Sequence, residues 1–341
     1  MTEGASSSNS RLKRVPIRDR AFTIGDLTCF NGYHANMTLL KQRFAEGGYR
    51  IQETPHFMLC TRNTAPSTIL VHWLSPEEID ADIGNMFIQE LKPLGLLSAA
   101  QQFGHVFAVV LFSLFPNDPQ QALHLYATNT MQRYRNLLAN KSIECPLSDS
   151  TIHAFASVYR RVFQLHVGER FLDAGCSFGF LPLLIAEHFP SLAQVVGIDI
   201  DTDSFPIVRA IAEQQQLKHV HFTQADLLAD DFTSLGVFDT VAALHILEHF
   251  NESDMFSVLA NLLQITSQRL ILAVPYESDE PEIVYGHEQL FSRDKLEAVG
   301  TWCLRQLRGQ GKISYEECAG GLLLIERLSC IVEPNSPARL G

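Results

Sequence analysis

The stretch Phe171-Leu172-Asp173-Ala174-Gly175-Cys176-Ser177-Phe178-Gly179 decides the fold of this chain. It starts as an apolar strand, passes through an acid and ends in a loop of small residues. A second strand, 195–198, closes on Asp199. Glycines let a backbone bend tightly and approach a ligand closely. A helix that starts after such a loop aims free amides at the same place. Any nucleotide-like ligand would suit that loop, and the acid selects among them. At the strand tip, Asp173 would repel a pyrophosphate and attract an ammonium group.

From residue 167 onward strands and helices alternate, which implies a doubly wound, mostly parallel sheet. Strands are expected at 170–172, 195–198, 220–222, 240–243 and 270–274, with helices at 180–188, 204–216, 252–265 and 292–299. The run 311–318, an Ala319-Gly320-Gly321 turn and the run 322–326 read as a β-hairpin. Five parallel strands closed by a terminal antiparallel hairpin make a sheet of seven.

S-adenosylmethionine carries an ammonium group, a ribose diol and no phosphate. On these residues the chain, from about 167 to 326, resembles the class I S-adenosylmethionine-dependent methyltransferases. Their first motif is acid-x-Gly-x-Gly-x-Gly. Here Asp173, Gly175 and Gly179 are kept and Ser177 replaces the middle glycine. A glycine loop alone is weak, and the ordered set that follows gives it weight. The resemblance implies a Rossmann-like α/β fold, S-adenosylmethionine as methyl donor and S-adenosylhomocysteine as product. It places Asp173, Gly175, Cys176 and Gly179 around the donor.

The same resemblance implies that Asp199 accepts hydrogen bonds from the ribose hydroxyls and that Ile200 packs on the adenine. The competing reading of Asp199, a strand-end acid capping the next helix, suits Asp203 or Ser204 better. Asp226, followed by Leu227, matches the position that holds the adenine amino group, with a turn-forming aspartate as the alternative. In the fourth-strand motif, from Phe238 to His249, Asp239 is expected to fix the start of the strand. Leu244 and His245 are expected at its far edge, near the methionine portion of the donor.

His245, Glu248 and His249 are spaced so that they can face one cleft. Some ubiquinone-pathway and small-RNA methyltransferases carry Glu-x-x-Glu-His here as a divalent-metal site, the RNA enzymes with a later histidine. This chain has His245-x-x-Glu248-His249 and a later His287. The replaced first glutamate argues against a hard cation, although imidazole suits a transition metal. Glu-His also follows this strand in methyltransferases without metal, so no metal ligand is assigned. Val274-Pro275-Tyr276-Glu277 and Tyr285-Gly286-His287-Glu288-Gln289-Leu290-Phe291-Ser292 resemble a segment frequent in small-molecule methyltransferases. His287, His245, His249 and Tyr276 are the candidates for moving the acceptor's proton; histidine titrates nearest neutrality. His287 has a second reading, as a cap for the helix that begins at Ser292.

Composition limits the rest. The chain has 341 residues, is 46% hydrophobic and carries a net charge of −12. That balance argues against a nucleic-acid surface, where affinity comes mostly from cations meeting phosphates. Seven cysteines without a C-x-x-C pair suit reduced thiols and a cytoplasmic protein. No leader is visible and no apolar run is long enough for a bilayer, so no membrane partner is expected.

The expected organisation is a basic, disordered tail (1–20), an N-terminal α+β accessory or substrate domain (21–147), a methyltransferase domain (148–330) and a C-terminal tail (331–341). Within the accessory segment, 57–60 and 68–74 read as strands about a polar 63–66 turn, and Ser75-Pro76-Glu77-Glu78 as a helix start. The run 106–115 reads as buried strand or buried helix, 119–139 as a helix, and 146–165 as a helix begun by Pro146-Leu147-Ser148-Asp149. A small-molecule acceptor is the leading expectation, with the N-terminal segment and the 275–292 loop shaping its pocket. A protein substrate docked on 21–147 is the alternative, and RNA ranks below both. Oligomeric state is not legible.

Overall fold

The computed structural model describes residues 20–63, 67–139, 150–277 and 280–328. The Pro146–Asp149 helix start, part of the 63–66 turn and both tails, apart from the buried Arg20, lie outside them. The chain divides into two compact units, the first comprising Met1–Ser157, Asp203–Ile211 and Glu280–Glu288, the second Val158–Thr202, Ala212–Asp279 and Gln289–Gly341.

The first unit holds a five-stranded sheet of β1 (Ala21–Ile24), β2 (Leu27–Asn31), β3 (Arg50–Glu53), β4 (Phe57–Thr61) and β5 (Thr68–His72), in the order β1-β2-β5-β4-β3. Only β2 and β5 pair in parallel. Four successive residues of β4, Phe57 to Cys60, are buried because the sheet is covered on both faces. Met58, Cys60 and Val71 face Leu40 of helix α1 (Met37–Glu46). Phe57 points the other way, its ring 5.7 Å from that of Phe87 in α2 (Ile83–Glu90). Helix α3 (Ala100–Phe112) packs on β1 and β2 and against α4 (Pro119–Ala139). The apolar run at 106–115 is therefore mostly helix, and 119–139 is helical as its pattern implies.

The helix start at Ser75 is present, with Ser75 at the N-cap and Pro76 in the first turn, but the helix is short. Ser75-Pro76-Glu77-Glu78 starts only a single 3-10 turn, Pro76–Glu78. Asn129 Nδ2 of α4 donates to the carbonyls of Pro76 and Ile79, at 2.7 and 3.0 Å. Those are acceptors that a continuing helix would have used, so the turn stops and α2 begins afresh at Ile83.

Helix α5 (Thr151–Leu165) leads from the first unit into the second. There follow β6 (Arg170–Ala174), α6 (Phe180–His188), β7 (Gln194–Asp199), α7 (Phe205–Gln214), β8 (Val220–Gln224), β9 (Phe238–Leu244), α8 (Glu252–Ile265), β10 (Thr266–Val274), α9 (Arg293–Gln306), β11 (Gly311–Glu317) and β12 (Gly321–Arg327). Strands β6 to β12 form one seven-stranded sheet in the order β11-β12-β10-β9-β6-β7-β8. Strands β6 to β10 run parallel, and β12 is antiparallel to both its neighbours. The expected α/β, mostly parallel seven-stranded architecture is the one observed.

Asp239 ties three strands together at their starts. Its Oδ2 accepts from the amides of Glu169 and Arg170 at 2.8 and 3.0 Å, and its Oδ1 from Ser267 Oγ and Gln268 Nε2 at 2.9 and 3.1 Å. Burial alone would raise its pKa, yet the hydrogen bonds to the charged form win and hold it below the usual carboxylate range. Helix α9 runs well past the expected end at 299, through Gly300. That glycine does not stop the helix. A Cβ there would lie 3.0 Å from Ile313 and 3.2 Å from Leu323, so it lets the helix lie close on the hairpin.

Candidate functional site

The strand order reverses between β7 and β9 on the two sides of β6, and ligands of open α/β sheets bind at such a point, outside the strand C-termini. Asp173 stands at that end of β6, only 4% exposed. Burial, then the neighbouring Asp199 charge, pushes its carboxyl up to about 8. A buried acid repelled by a second acid is a ready partner for a cationic group.

The loop after β6 takes its shape from two left-handed glycines. Gly175 has φ +77°, and a Cβ on it would meet Ile246 at 2.8 Å. Gly179 has φ +84° and caps α6, and a Cβ there would sit 2.6 Å from the Phe222 ring. Between them Ser177 adopts φ +49°, a left-handed conformation at the position where the motif has its middle glycine. The amides of Gly175 and Cys176 both donate to the carbonyl of Ile198, at 2.9 and 2.8 Å. The Cys176 side chain is buried, with its Sγ 3.0 Å from where a Cβ on Gly197 would lie. Burial pushes its thiol up, so it stays protonated and leaves its backbone to serve the loop.

Asp199 closes the site from β7. Its Oδ2 accepts from the Ser177 amide at 2.7 Å and its Oδ1 from the Asp201 amide at 3.0 Å. Its own carbonyl accepts from the Ala225 amide at 3.0 Å. One residue thus joins the loops that follow β6, β7 and β8. Ile200, next in sequence, is 64% exposed, and its carbonyl accepts from Gln224 Nε2 at 3.0 Å. A large aliphatic left open beside a fixed carboxylate is suited to a flat apolar ring.

Asp226 lies exposed in the loop after β8, where its Oδ1 accepts from the Leu228 amide at 2.9 Å. The turn-forming role set against its ligand role is thus present, and leaves the second oxygen to be used. Leu227 sends its side chain into the core of the second unit and has its carbonyl bound by Asn261 Nδ2 at 2.8 Å.

At the end of β9 Leu244 is buried and His245 turns to φ +52°. A histidine in the left-handed region carries backbone strain of the sort that collects at sites. Its amide donates to the Ala273 carbonyl at 2.8 Å, and its Nδ1 lies 3.5 Å from Glu248 Oε1. Glu248 is 1% exposed, and among the described residues neither of its carboxylate oxygens has a hydrogen-bond partner. Its spacing groups it with His245 and His249, but its burial is not visible in the sequence. His249 completes the 3-10 turn Leu247–His249. Gln289 fastens this turn, its Nε2 donating to the carbonyls of Leu247 and Phe250 at 2.9 and 2.7 Å.

Tyr276 follows β10, with its hydroxyl hydrogen-bonded to that of Tyr315 and lying close beneath Gly321. Burial, Tyr315 and the charge of Glu317 all raise its pKa. Such a phenol keeps its proton and suits hydrogen-bond donation better than proton abstraction. His287 belongs to the first unit, with its amide donating to the Glu282 carbonyl at 3.4 Å. It does not cap α9. Ser292 does, its side chain accepting from the Lys295 amide at 3.3 Å.

Residues 171–269 match a family described as a methyltransferase domain. No curated protein matches the chain. Among solved structures, the methyltransferase domain of bacterial CtHen1 is 16% identical with a TM-score of 0.40, over 50% of this chain and 95% of that one. Magnesium protoporphyrin IX methyltransferase from Synechocystis, with bound S-adenosylmethionine, is 18% identical with a TM-score of 0.40, over 57% of this chain and 90% of that one. An O-methyltransferase family protein from Burkholderia thailandensis is 13% identical with a TM-score of 0.40, over 73% and 94%. The match to the methyltransferase-domain family lies across the ordered acids and glycines of β6, β7 and β9.

Proposed function

We propose that the protein transfers the methyl group of S-adenosylmethionine to an oxygen, nitrogen or carbon atom of a small-molecule acceptor. The observation that carries this reading is the pair of acids at the switch point, Asp173 buried and Asp199 fixed by two amides. When bound, the cofactor supplies a methyl group already activated on a sulfonium. Asp173 neutralises its ammonium end, Asp199 accepts from the ribose hydroxyls, and Ile200 covers the adenine. The exposed oxygen of Asp226 reads the adenine amino group, while the backbones of Gly175, Cys176, Gly179 and Leu227, with the side chain of Leu244, complete the cradle. In-line displacement needs mainly alignment, an effect worth up to ~7–11 kcal/mol.

The acceptor side rests on imidazoles. His287, His245 and His249 are proposed to receive the acceptor's proton, and a base of that kind contributes about 10²–10⁴-fold. Tyr276, which keeps its proton, is proposed to hydrogen-bond the acceptor. A net charge of −12 speaks for an acceptor other than nucleic acid. Among the described residues no helix is long and apolar enough to cross a membrane. Incubation with methyl-labelled S-adenosylmethionine and a lysate of the source, with Asp199→Ala as control, tests this directly. The reading predicts label in the small-molecule fraction that the control lacks. Label confined to protein or RNA would replace the small-molecule acceptor with a macromolecular one.

A further inference from the structure

The segment Glu280–Glu288 follows β10 in sequence, yet it belongs to the compact unit built by the N-terminal 157 residues. Its hold on that unit is specific. Lys92 Nζ donates to Glu282 Oε2 at 2.6 Å. The other oxygen of Glu282 accepts from the Val284 amide at 3.4 Å and so caps the 3-10 turn Ile283–Tyr285. The Tyr285 ring meets the edge of Phe103 in α3, centroids 5.4 Å apart, and the His287 ring lies 5.9 Å beyond it. Phe103 in turn packs against Phe87 at 5.9 Å, and Phe87 against Phe57 of β4 at 5.7 Å.

A continuous row of rings therefore runs from the core of the five-stranded sheet to the loop that carries His287. Gly84 of α2 makes room for it, since a Cβ there would lie 3.2 Å from the Phe103 ring. Edge-to-face aromatic pairs add about 0.5–1.5 kcal/mol each beyond burial and fix direction as well. A half-exposed ion pair such as Lys92–Glu282 adds little energy but sets register.

We propose that Phe103 and Lys92 are positioning residues for the His287 loop, and through it for methyl transfer. This rests on the reading of His287 as an acceptor-side residue. In the full-length protein, hydrogen exchange of the 283–287 amides tests the anchorage, and methyl transfer with S-adenosylmethionine affinity tests its consequence. In Phe103→Ala and Lys92→Ala these amides are expected to exchange at least tenfold faster, with β6 to β10 unchanged. Donor affinity is expected to stay within twofold of wild type while label transfer falls tenfold or more, and Lys92→Arg is expected to restore both readouts. Unchanged exchange at 283–287 would overturn the anchorage. Faster exchange with full label transfer would overturn its role in catalysis. Failure of the wild-type protein to bind S-adenosylmethionine would instead overturn the methyl-transfer reading and leave the anchorage standing on its exchange data.

Discussion

The backbone amide of Ser177 donates to Asp199 Oδ2 at 2.7 Å, so the loops that carry the two acids are fastened to each other. The bond orders the glycine loop through the residue proposed to hold the ribose. Removing the Asp199 carboxylate therefore removes the strut of the loop together with the proposed ribose contact. Asp199→Asn, which keeps one accepting oxygen, is expected to weaken donor binding less than Asp199→Ala, by tenfold or more, in calorimetric titrations. Equal losses would assign the carboxylate a purely electrostatic role.

Asp173 predicts a pH dependence. Its pKa in the folded protein, about 8, lies above the ordinary aspartate value because of burial and Asp199. A raised pKa gives stability that is present below the unfolded value and lost as pH rises through the folded one. Ligand-free protein is therefore expected to lose stability to urea between about pH 4 and 8, at up to about 1.4 kcal/mol per pH unit. Asp173→Asn is expected to flatten that limb while weakening donor binding. An unchanged slope in this variant would place the linkage elsewhere.

His72 predicts the opposite limb in the first unit. It is fully buried, its Nε2 lies 2.9 Å from Ser113 Oγ, and burial pushes its pKa down to about 3. The Ser113 hydroxyl donates to the Val110 carbonyl at 2.8 Å, so the imidazole is the donor in their bond and stays neutral. A depressed pKa gives a histidine stability that is present above its unfolded value near 6.5 and is lost as pH falls toward 3. Acid unfolding followed by tryptophan fluorescence is expected to begin below about pH 6.5 and to be less steep in His72→Gln. A steeper acid limb in that variant would contradict the assignment.

The glycine loop predicts unequal effects at neighbouring positions. Gly179→Ala forces a Cβ to 2.6 Å from the Phe222 ring at φ +84°, and is expected to cost more than ~2 kcal/mol in urea unfolding. Ser177→Gly relieves a left-handed serine, and is expected to be neutral or stabilising by at most about 1 kcal/mol. A loss larger than that on Ser177→Gly would show that the hydroxyl holds the loop.

The second unit was legible because its signals are local. Asp173, Gly175, Gly179 and Asp199 each sit at a strand end, where periodicity and a turn residue coincide, and Asp239 was identified as a strand anchor from its place alone. Strand ends differed by a few residues, since pairing with neighbours, not propensity, decides where a ladder stops. The failures lie where a distant side chain overrides a local pattern. Asn129 stops the turn at Pro76–Glu78 from fifty residues away, and the helix expected to end at 299 runs on through Gly300 because Ile313 and Leu323 lie beside it. Strands β1 to β3 are short and partly exposed, and their polar residues hide the alternation. Glu248 looked like a polar neighbour of two histidines, and nothing local revealed its burial.

Titration of S-adenosylmethionine into the wild-type protein and Asp199→Ala, followed by calorimetry, tests the central claim most directly. Two hydrogen bonds to a charged carboxylate are worth ~1.5–3 kcal/mol each. The expected result is therefore saturable one-site binding to wild type, weakened by about a hundredfold or more in Asp199→Ala at unchanged fold by circular dichroism. Wild-type protein that gives no heat of binding, or a variant that binds as tightly, would contradict the assignment of this site to the methyl donor.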